Sequence, residues 1–221
     1  MSVLSPLQKE LLNLFSQVPE SDLFYLTGGT ALAEFYLQHR KSFDLDFFTK
    51  QENFILPFTN HLEEKLRQEG MRVERRRGLA SFVELTVEKN KESTLIHIAQ
   101  DSPFSFEQPK EKASFPGVKV DTLTDIASNK LLALFGRATF RDFVDVYFLI
   151  TEDHFSKKKL LELAKEKDPG FELYWLGVAF ERINLFKEES LETHILIKPC
   201  SIENLLGFFN GWREEINQEL K

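Results

Sequence analysis

Two adjacent glycines constrain this 221-residue sequence more than any other feature. The apolar run 23–26 predicts a short buried strand, Gly28 and Gly29 break that run, and the apolar residues from Ala31 to Tyr36 have helical spacing. A glycine turn in front of a helix exposes backbone N–H groups at the positive end of the helix dipole, where phosphate groups bind. Gly-Gly-Thr triplets are also common in ordinary tight turns, so the interpretation depends on the residues that come after this helix in the chain.

The next predicted strand carries two acidic residues. Residues 43–48 alternate as in a β-strand, which places Asp44 and Asp46 on one face and Leu45 and Phe47 on the other. Neighbouring carboxylates repel each other unless a divalent cation lies between them. An exposed edge strand with solvated acids is the alternative, but the apolar neighbours disfavour it. The pattern predicts Mg²⁺-dependent phosphoryl or nucleotidyl transfer from a nucleoside triphosphate (NTP).

The remaining periodicity predicts an α+β fold: an α+β domain at 1–120 and a helical region at 121–221, which is expected to complete the active-site cleft. Three prolines and a glycine in residues 101–117 predict a loop. Strands are predicted at 71–77, 79–88 and 94–100. Helices are predicted at 1–19, 53–69, 122–135, 140–151, 156–166, 171–184 and 201–220.

Four charged residues interrupt two apolar helices of the second region. Lys130 and Arg137 are seven residues apart on one predicted helix, and Asp142 and Asp145 are three apart on the next. Charges in such apolar helices are paired or functional. A structural salt bridge of Lys130 or Arg141 with one of the aspartates is one interpretation. For Lys130 we favour contact with nucleotide phosphates.

Both blocks resemble the AbiEii/AbiGii toxin family of nucleotidyltransferases, within the polymerase-β-like superfamily. The similarity covers roughly residues 23 to 150. It implies a polymerase-β-like core followed by a C-terminal helical bundle, and a two-metal Mg²⁺ site held by Asp44 and Asp46. The motifs are Gly28-Gly-Thr-Ala-Leu-Ala33, His39-Arg40-x-Ser42-x-Asp44-Leu-Asp46-Phe-Phe48 and Lys130 with Arg141-Asp142-x-x-Asp145-x-Tyr147. The implied nucleotide-binding residues are Gly28, Gly29, Thr30, Arg40, Ser42 and Lys130, and the implied catalytic residues are Asp44, Asp46, Lys130, Asp142 and Asp145.

One position departs from the superfamily pattern, which commonly has a third carboxylate on a later strand. His97 occupies the expected position, Asp101 lies just past it, and Glu84 lies on the neighbouring predicted strand. His97 is interpreted as a weak metal ligand, a general base or a buried histidine. Without a third acid, the chain would be a slow enzyme or a nucleotide-binding protein that has lost catalysis.

Composition limits the partners. A net charge of −7 does not indicate extensive nucleic-acid binding, and the densest basic cluster is Arg72, Arg75, Arg76 and Arg77. One cysteine, no basic-apolar leader and no long apolar run predict a cytoplasmic protein without a membrane partner. The resemblance implies an NTP donor, an acceptor such as tRNA or another RNA, and a cognate antitoxin. The alternatives are a non-catalytic protein that binds a nucleotide or a partner, and an enzyme that modifies a small molecule.

Overall fold

The computed structural model describes residues 2–186 and 195–221. They form two compact units, Met1–Leu123 and Thr124–Lys221. Within the described ranges, no helix is long and apolar enough to cross a membrane. The strands are β1 (Tyr25–Thr27), β2 (Asp44–Thr49), β3 (Arg72–Leu79), β4 (Phe82–Lys89), β5 (Glu92–Gln100), β6 (Lys110–Lys112) and β7 (Phe115–Val120). The helices are α1 (Pro6–Phe15), α2 (Gly28–Leu32), α3 (Ile55–Gln68), α4 (Leu123–Gly136), α5 (Phe140–Thr151), α6 (Lys157–Lys167), α7 (Leu173–Glu181) and α8 (Ile202–Glu219).

The first unit is built on one mixed sheet of seven strands in the order β3-β4-β5-β2-β1-β7-β6. Strand β2 runs antiparallel to β1 and parallel to β5, and β1 runs parallel to β7. The α2 helix continues as one π-helical segment, Ala33–Leu37. This topology places β2, with its two aspartates, between β1 and β5 near the middle of the sheet.

Phenylalanines fill the core on one face of the sheet. A capping box between Ser5 and Gln8 starts α1, with Pro6 at its first position. Phe15 of α1 stacks on Phe47 of β2, with 3.7 Å between ring centroids. Because Phe47 and its buried neighbour Leu45 face this core, Asp44 and Asp46 stand on the opposite face, as the alternation in the sequence predicted.

The prediction of a loop at 101–117 is wrong for residues 110–117. Residues from Lys110 onward form β6 and β7, and β7 pairs with β1 inside the sheet. Pro116 and Gly117 concealed this strand because both are typical of turns. The strand is held by burial of Phe115 and by pairing with a strand about ninety residues earlier.

A smaller difference concerns the hairpin of β3 and β4. Leu79 ends β3 instead of beginning the next strand, and β4 starts at Phe82. The following hairpin turns at Asn90 and Lys91, whose positive φ values of 50° and 68° are those of a type I′ turn.

The second unit is helical, as predicted. The described part of the last seventy residues includes α7 and α8, and Ser201 caps α8 through a capping box with Asn204. Aromatic side chains form its core: Phe143 of α5 meets Phe209 of α8 edge to face, with ring centroids 4.8 Å apart.

Candidate active site

The glycine turn packs directly against the acidic strand. Gly28 has a φ of +71°, and a Cβ atom added there would lie 2.2 Å from Asp46 Oδ2. A Cβ at Gly29 would lie 2.6 Å from Arg40 Nη2. Glycine is therefore required at position 28, where φ is positive and the backbone lies beside the Asp46 carboxylate, whereas a side chain at position 29 would displace the end of Arg40.

The backbone around the two aspartates is fixed by hydrogen bonds across the turn. Thr30 Oγ1 donates to the main-chain oxygen of Asp44. Thr27 of β1 lies opposite Asp46 of β2 in the antiparallel register. Neither threonine caps α2 with its side chain, because both hydroxyls are used to hold neighbouring segments.

A row of polar residues crosses the face that carries Asp44 and Asp46. Register places Asp46 of β2 beside His97 of β5, and His97 beside Glu84 of β4. His97 Nδ1 lies 2.8 Å from Asp46 Oδ1, and His97 Nε2 lies 3.7 Å from Glu84 Oε2. The three side chains are each about a quarter exposed, at 22–25%. Together the two carboxylates and the imidazole form one partly exposed surface.

The position expected to hold a third acid is thus occupied by a histidine between two carboxylates. The hydrogen bond to Asp46 raises the pKa of His97, while burial opposes the shift and the charges of Asp46, Asp44 and Glu84 add to it. When protonated, this imidazole places a positive charge between the Asp46 and Glu84 carboxylates.

Asp101 is not brought to this row. It follows β5 four residues beyond His97, which corresponds to about 13 Å along a strand. Its carboxylate accepts hydrogen bonds from the Tyr25 hydroxyl and the Ser102 amide. Of the three positions considered for a third acid, the structure groups His97 and Glu84 with Asp46 and leaves Asp101 apart.

Asp121 is an acidic residue that the sequence reasoning missed. It follows β7, is 3% exposed, and accepts a 2.7 Å hydrogen bond from Thr27 Oγ1. Thr27 lies opposite Asp46, so Asp121 continues the polar row beyond β1. Recognition of the apolar alternation at Val118 and Val120 as a strand would have revealed it.

Arg40 and Ser42 pack against the glycine turn at Gly29. Arg40 is 2% exposed and donates through Nη1 to the Lys41 carbonyl at 2.9 Å. The main-chain oxygen of Ser42 accepts a 2.9 Å hydrogen bond from Gln8 of α1. Both residues support the turn, and their direct contact with a nucleotide stays a prediction.

In the second unit, each aspartate of the Arg-Asp-x-x-Asp motif has a basic partner. Lys130 Nζ lies 2.7 Å from Asp145 Oδ2, and both side chains are at least nine-tenths buried. Asp142 accepts two hydrogen bonds from Arg137 and also caps the start of α5 through Thr139. These pairs stabilise the helical unit, and contact of Lys130 with phosphate remains a prediction.

The donor atoms suit magnesium bound together with a substrate. Mg²⁺ prefers oxygen ligands and is often held by one or two carboxylates, with phosphate oxygens completing its shell. Asp44 and Asp46 offer such a pair on a partly open face. Within the described residues, no group of three or more histidine, cysteine, aspartate or glutamate side chains is arranged to hold a metal ion. A metal at this pair therefore depends on oxygens from the substrate or water.

Substitution of Gly28 by alanine tests the contact between the turn and Asp46. A positive φ costs a residue with a Cβ about 1 to 3 kcal/mol, and the new methyl group would displace the Asp46 carboxylate. We expect a moderate loss of stability in urea unfolding and a larger loss of nucleotide binding in calorimetry. Gly211→Ala is the matched control because nothing lies within 4 Å of its added Cβ. Equal nucleotide affinity in both variants would contradict the role of the turn.

The Asp142 ion pair predicts a dependence of stability on pH. Burial acts to raise the pKa of Asp142, but the hydrogen bonds from Arg137 and Thr139 overcome it, so the pKa lies below its ordinary value. A folded-state pKa below the unfolded value of about 3.9 stabilises the fold above that pH, and the contribution is lost as the pH falls through the folded pKa. Thermal unfolding of Asp142→Asn between about pH 5 and pH 2 should show a shallower loss of stability than the unchanged protein. If stability depended on pH in the same way in both proteins, the pair of Asp142 with Arg137 would not be the cause of the pH dependence.

Comparison with known proteins shows that this chain is similar to nucleotidyltransferases. The profile of the family described as nucleotidyl transferase AbiEii toxin, type IV TA system, matches residues 10–195. A protein of Aquifex aeolicus (strain VF5), described as uncharacterized, is 32% identical over 168 residues, which are 72% of this chain and 73% of that protein.

Two crystal structures share the fold. A protein from H. pylori described as a candidate nucleotidyltransferase superposes with a TM-score of 0.64 at 18% identity, covering 98% of this chain and 97% of that one. JHP933 from Helicobacter pylori gives a TM-score of 0.56 at 19% identity, covering 97% and 90%. These similarities confirm the predicted α+β nucleotidyltransferase fold.

Proposed function

Because this chain belongs to the AbiEii family of nucleotidyl transferase toxins, we propose that it transfers a nucleoside monophosphate (NMP) from an NTP to an acceptor with the help of Mg²⁺. The observation that carries the proposal is the position of Asp44 and Asp46 on one partly open face, with the backbone of Gly28 beside Asp46. Carboxylates next to a glycine turn join a metal-binding face to a place for phosphates.

The reaction assigns a task to each part of the site. Asp44 and Asp46 would hold Mg²⁺, which would neutralise the triphosphate and stabilise charge on the attacking and leaving oxygens. Gly28, Gly29 and Thr30 hold the phosphates at the start of α2. An acceptor hydroxyl oxygen forms a bond to the α-phosphorus, the bond from that phosphorus to the β-phosphate oxygen breaks, and pyrophosphate leaves. The acceptor hydroxyl loses its proton to solvent water.

We assign Lys130 a second task in addition to its pairing with Asp145. In the proposal its ammonium steadies phosphate charge, and Asp142 and Asp145 keep α4 and α5 in the arrangement that presents it. The support is the position of these residues in the matched family region, together with the burial of the Lys130 and Asp145 pair.

We propose that the acceptor is RNA. A bulge in β3 determines which arginine of this strand is placed to contact it. In a regular strand Arg75 and Arg77 would share a face, but the register shifts between them. Arg75 contacts Glu63 of α3 on the covered face, whereas Arg77 lies opposite Glu84 on the open face. Arg77 thus extends the polar row of Asp46, His97 and Glu84 to the sheet edge with a positive charge.

Charge reversal at Arg77 tests the RNA path. Arg77→Glu should weaken NMP transfer to RNA by about tenfold and reduce the dependence of RNA binding on salt, because one phosphate contact is lost. Nucleotide affinity should not change. Arg67→Glu is the control with the same charge change, since Arg67 belongs to α3 on the other face. If both variants transfer equally well to RNA, the acceptor does not pass over β3.

A second candidate function is supported by His97. Because the imidazole occupies the position of an expected acid and pairs with Asp46, a weakly active or inactive protein that binds nucleotide or a partner is a specific alternative. Calorimetry with NTP and Mg²⁺, combined with labelled-NTP transfer to total RNA, to protein and to small molecules, separates the candidates. Binding together with transfer to RNA supports our proposal. Binding without transfer would replace it with the alternative.

Two further assignments accompany the proposal. The family description as a type IV toxin–antitoxin component supports a cognate antitoxin. The proposed NTP and RNA substrates support a cytoplasmic location. Suppression of toxicity by a neighbouring gene, measured as growth of cells that express both, tests the first assignment.

A further inference from the structure

A groove with apolar side chains and an acidic rim lies within the helical unit. None of the residues that line it is assigned to nucleotidyl transfer. Its walls are α6 and the C-terminal half of α8, the start of α7 closes its floor, and its volume is about 1120 Å³. Apolar and aromatic side chains of its lining include Leu161, Phe171, Tyr174, Trp212, Ile216 and Leu220. Tyr174 is 57% exposed and Leu220 is 50% exposed, so the groove offers apolar surface to a ligand.

The charges around this groove are predominantly acidic once internal pairs are removed. Lys157 is occupied by Glu215 at 2.8 Å, and Lys165 donates to the carbonyls of Pro169 and Phe171. Lys158 is then the one lining lysine whose side chain has neither a hydrogen bond nor an ion pair among the described residues. Four lining carboxylates likewise have no hydrogen bond or ion pair there: Glu162, Glu166, Glu172 and Glu219.

The end of α8 adds further negative charge to this groove. Glu215 and Glu219 lie near its C-terminus, the negative end of the helix dipole, and its last turn contains no basic residue. Acidic side chains at this end are unfavourable, and a positive group bound nearby would relieve both the dipole and the carboxylates. Lys157 compensates Glu215 but leaves Glu219 uncompensated.

The groove has the dimensions of a helix-binding site. Its α6 wall extends from Lys157 to Glu166, ten residues or about 15 Å, which matches three turns of a bound helix. One end is closed where Lys157 bridges to Glu215 and lies over the Trp212 ring at 5.6 Å. The apolar floor suits the apolar face of an amphipathic helix, and the acidic rim suits basic residues flanking that face.

We propose that this groove binds a basic amphipathic helix of a partner protein, with its apolar face on Tyr174 and Leu220 and its lysines or arginines on Glu162, Glu166 and Glu219. All residues that line the groove belong to the helical unit. The inference does not depend on nucleotidyl transfer, and it holds or fails separately from it.

Binding of designed peptides to the full chain tests the proposal. The probe is an amphipathic helical peptide of about 14 residues with leucines on one face and lysines beside them, and its counterpart replaces every lysine by glutamate. Calorimetry should show saturable binding of the basic peptide and at least tenfold weaker binding of the acidic one. Both tryptophans of the chain, Trp175 and Trp212, lie at or next to the groove, so their emission should change on binding.

Matched variants locate the binding. Glu162→Lys combined with Glu166→Lys should weaken binding of the basic peptide about tenfold. Glu52→Lys combined with Glu214→Lys makes the same charge change outside the groove and should leave the affinity within about twofold. Tyr174→Asp should also abolish binding. Equal weakening by the two double variants, equal affinity for both peptides, or self-association of the chain that the groove variants abolish would each overturn the proposal.

Discussion

Replacing either Asp44 or Asp46 by asparagine is expected to reduce NMP transfer by about a hundred- to a thousandfold. Asparagine has nearly the same shape as aspartate but no negative charge. The metal would therefore lose one of its two carboxylate ligands. Steady-state transfer of label from an NTP to RNA measures the effect. The fold should persist, since both side chains are partly open to solvent and neither belongs to the apolar core.

Two controls make this result specific. Asp22→Asn changes an exposed aspartate of the same unit and should keep full activity. Circular dichroism and urea unfolding of the Asp44 and Asp46 variants should match the unchanged protein within about 1 kcal/mol, because asparagine keeps the shape of aspartate at these partly buried positions. A folded Asp44→Asn protein with full transfer would exclude this carboxylate from the reaction.

The second large effect concerns stability and arises at Asp145. Removing one partner of a buried ion pair leaves an uncompensated charge and typically costs about 3 to 5 kcal/mol. Asp145→Ala leaves the Lys130 ammonium in a setting where its side chain is only 10% exposed. We therefore expect a loss of about 3 kcal/mol in urea unfolding, well beyond the effect of an exposed helix substitution such as Glu214→Ala.

The double substitution Lys130→Met with Asp145→Leu separates the structural role of this pair from its proposed role in catalysis. Apolar residues of similar volume often replace buried ion pairs without loss of stability, so the double variant should be about as stable as the unchanged protein. If Lys130 also steadies phosphate charge, transfer should remain at least about a hundredfold reduced. Recovery of both stability and transfer would show that Lys130 acts through the fold alone.

The sequence predicted most of this fold because its strongest signals are local. Ser5 and Pro6 define the start of α1 through side-chain and φ constraints that need no distant partner. The alternation around Asp44 and Asp46 predicted which face of β2 is buried, since a strand with a period of two has only two choices. Helices with repeated apolar spacing, such as α5, matched their predicted limits.

The features that the sequence could not predict depend on contacts between distant segments. The β7 strand forms against β1, and its Pro116 and Gly117 have no strand propensity of their own. Likewise, the bulge that turns Arg75 and Arg77 to opposite faces is visible only in the pairing of β3 with β4. Asp121 was missed for the same reason, because its neighbour Thr27 lies on another strand.

The pairing of His97 with Asp46 also needed the structure. The sequence placed a histidine where an acid was expected, but only strand register brings Glu84 and Asp46 to its two sides. The imidazole of His97 thus lies between the carboxylates of Asp46 and Glu84 on one face of the sheet.

The most direct measurement of the central claim uses two labelled NTPs with the purified, unchanged chain and Mg²⁺. NTP labelled at the α-phosphate should transfer label to RNA, whereas NTP labelled at the γ-phosphate should release its label as pyrophosphate. Both reactions should disappear in Asp44→Asn. Transfer of the γ-label would contradict nucleotidyl transfer, and absence of any transfer despite NTP binding would contradict the assignment of Asp44 and Asp46 to catalysis.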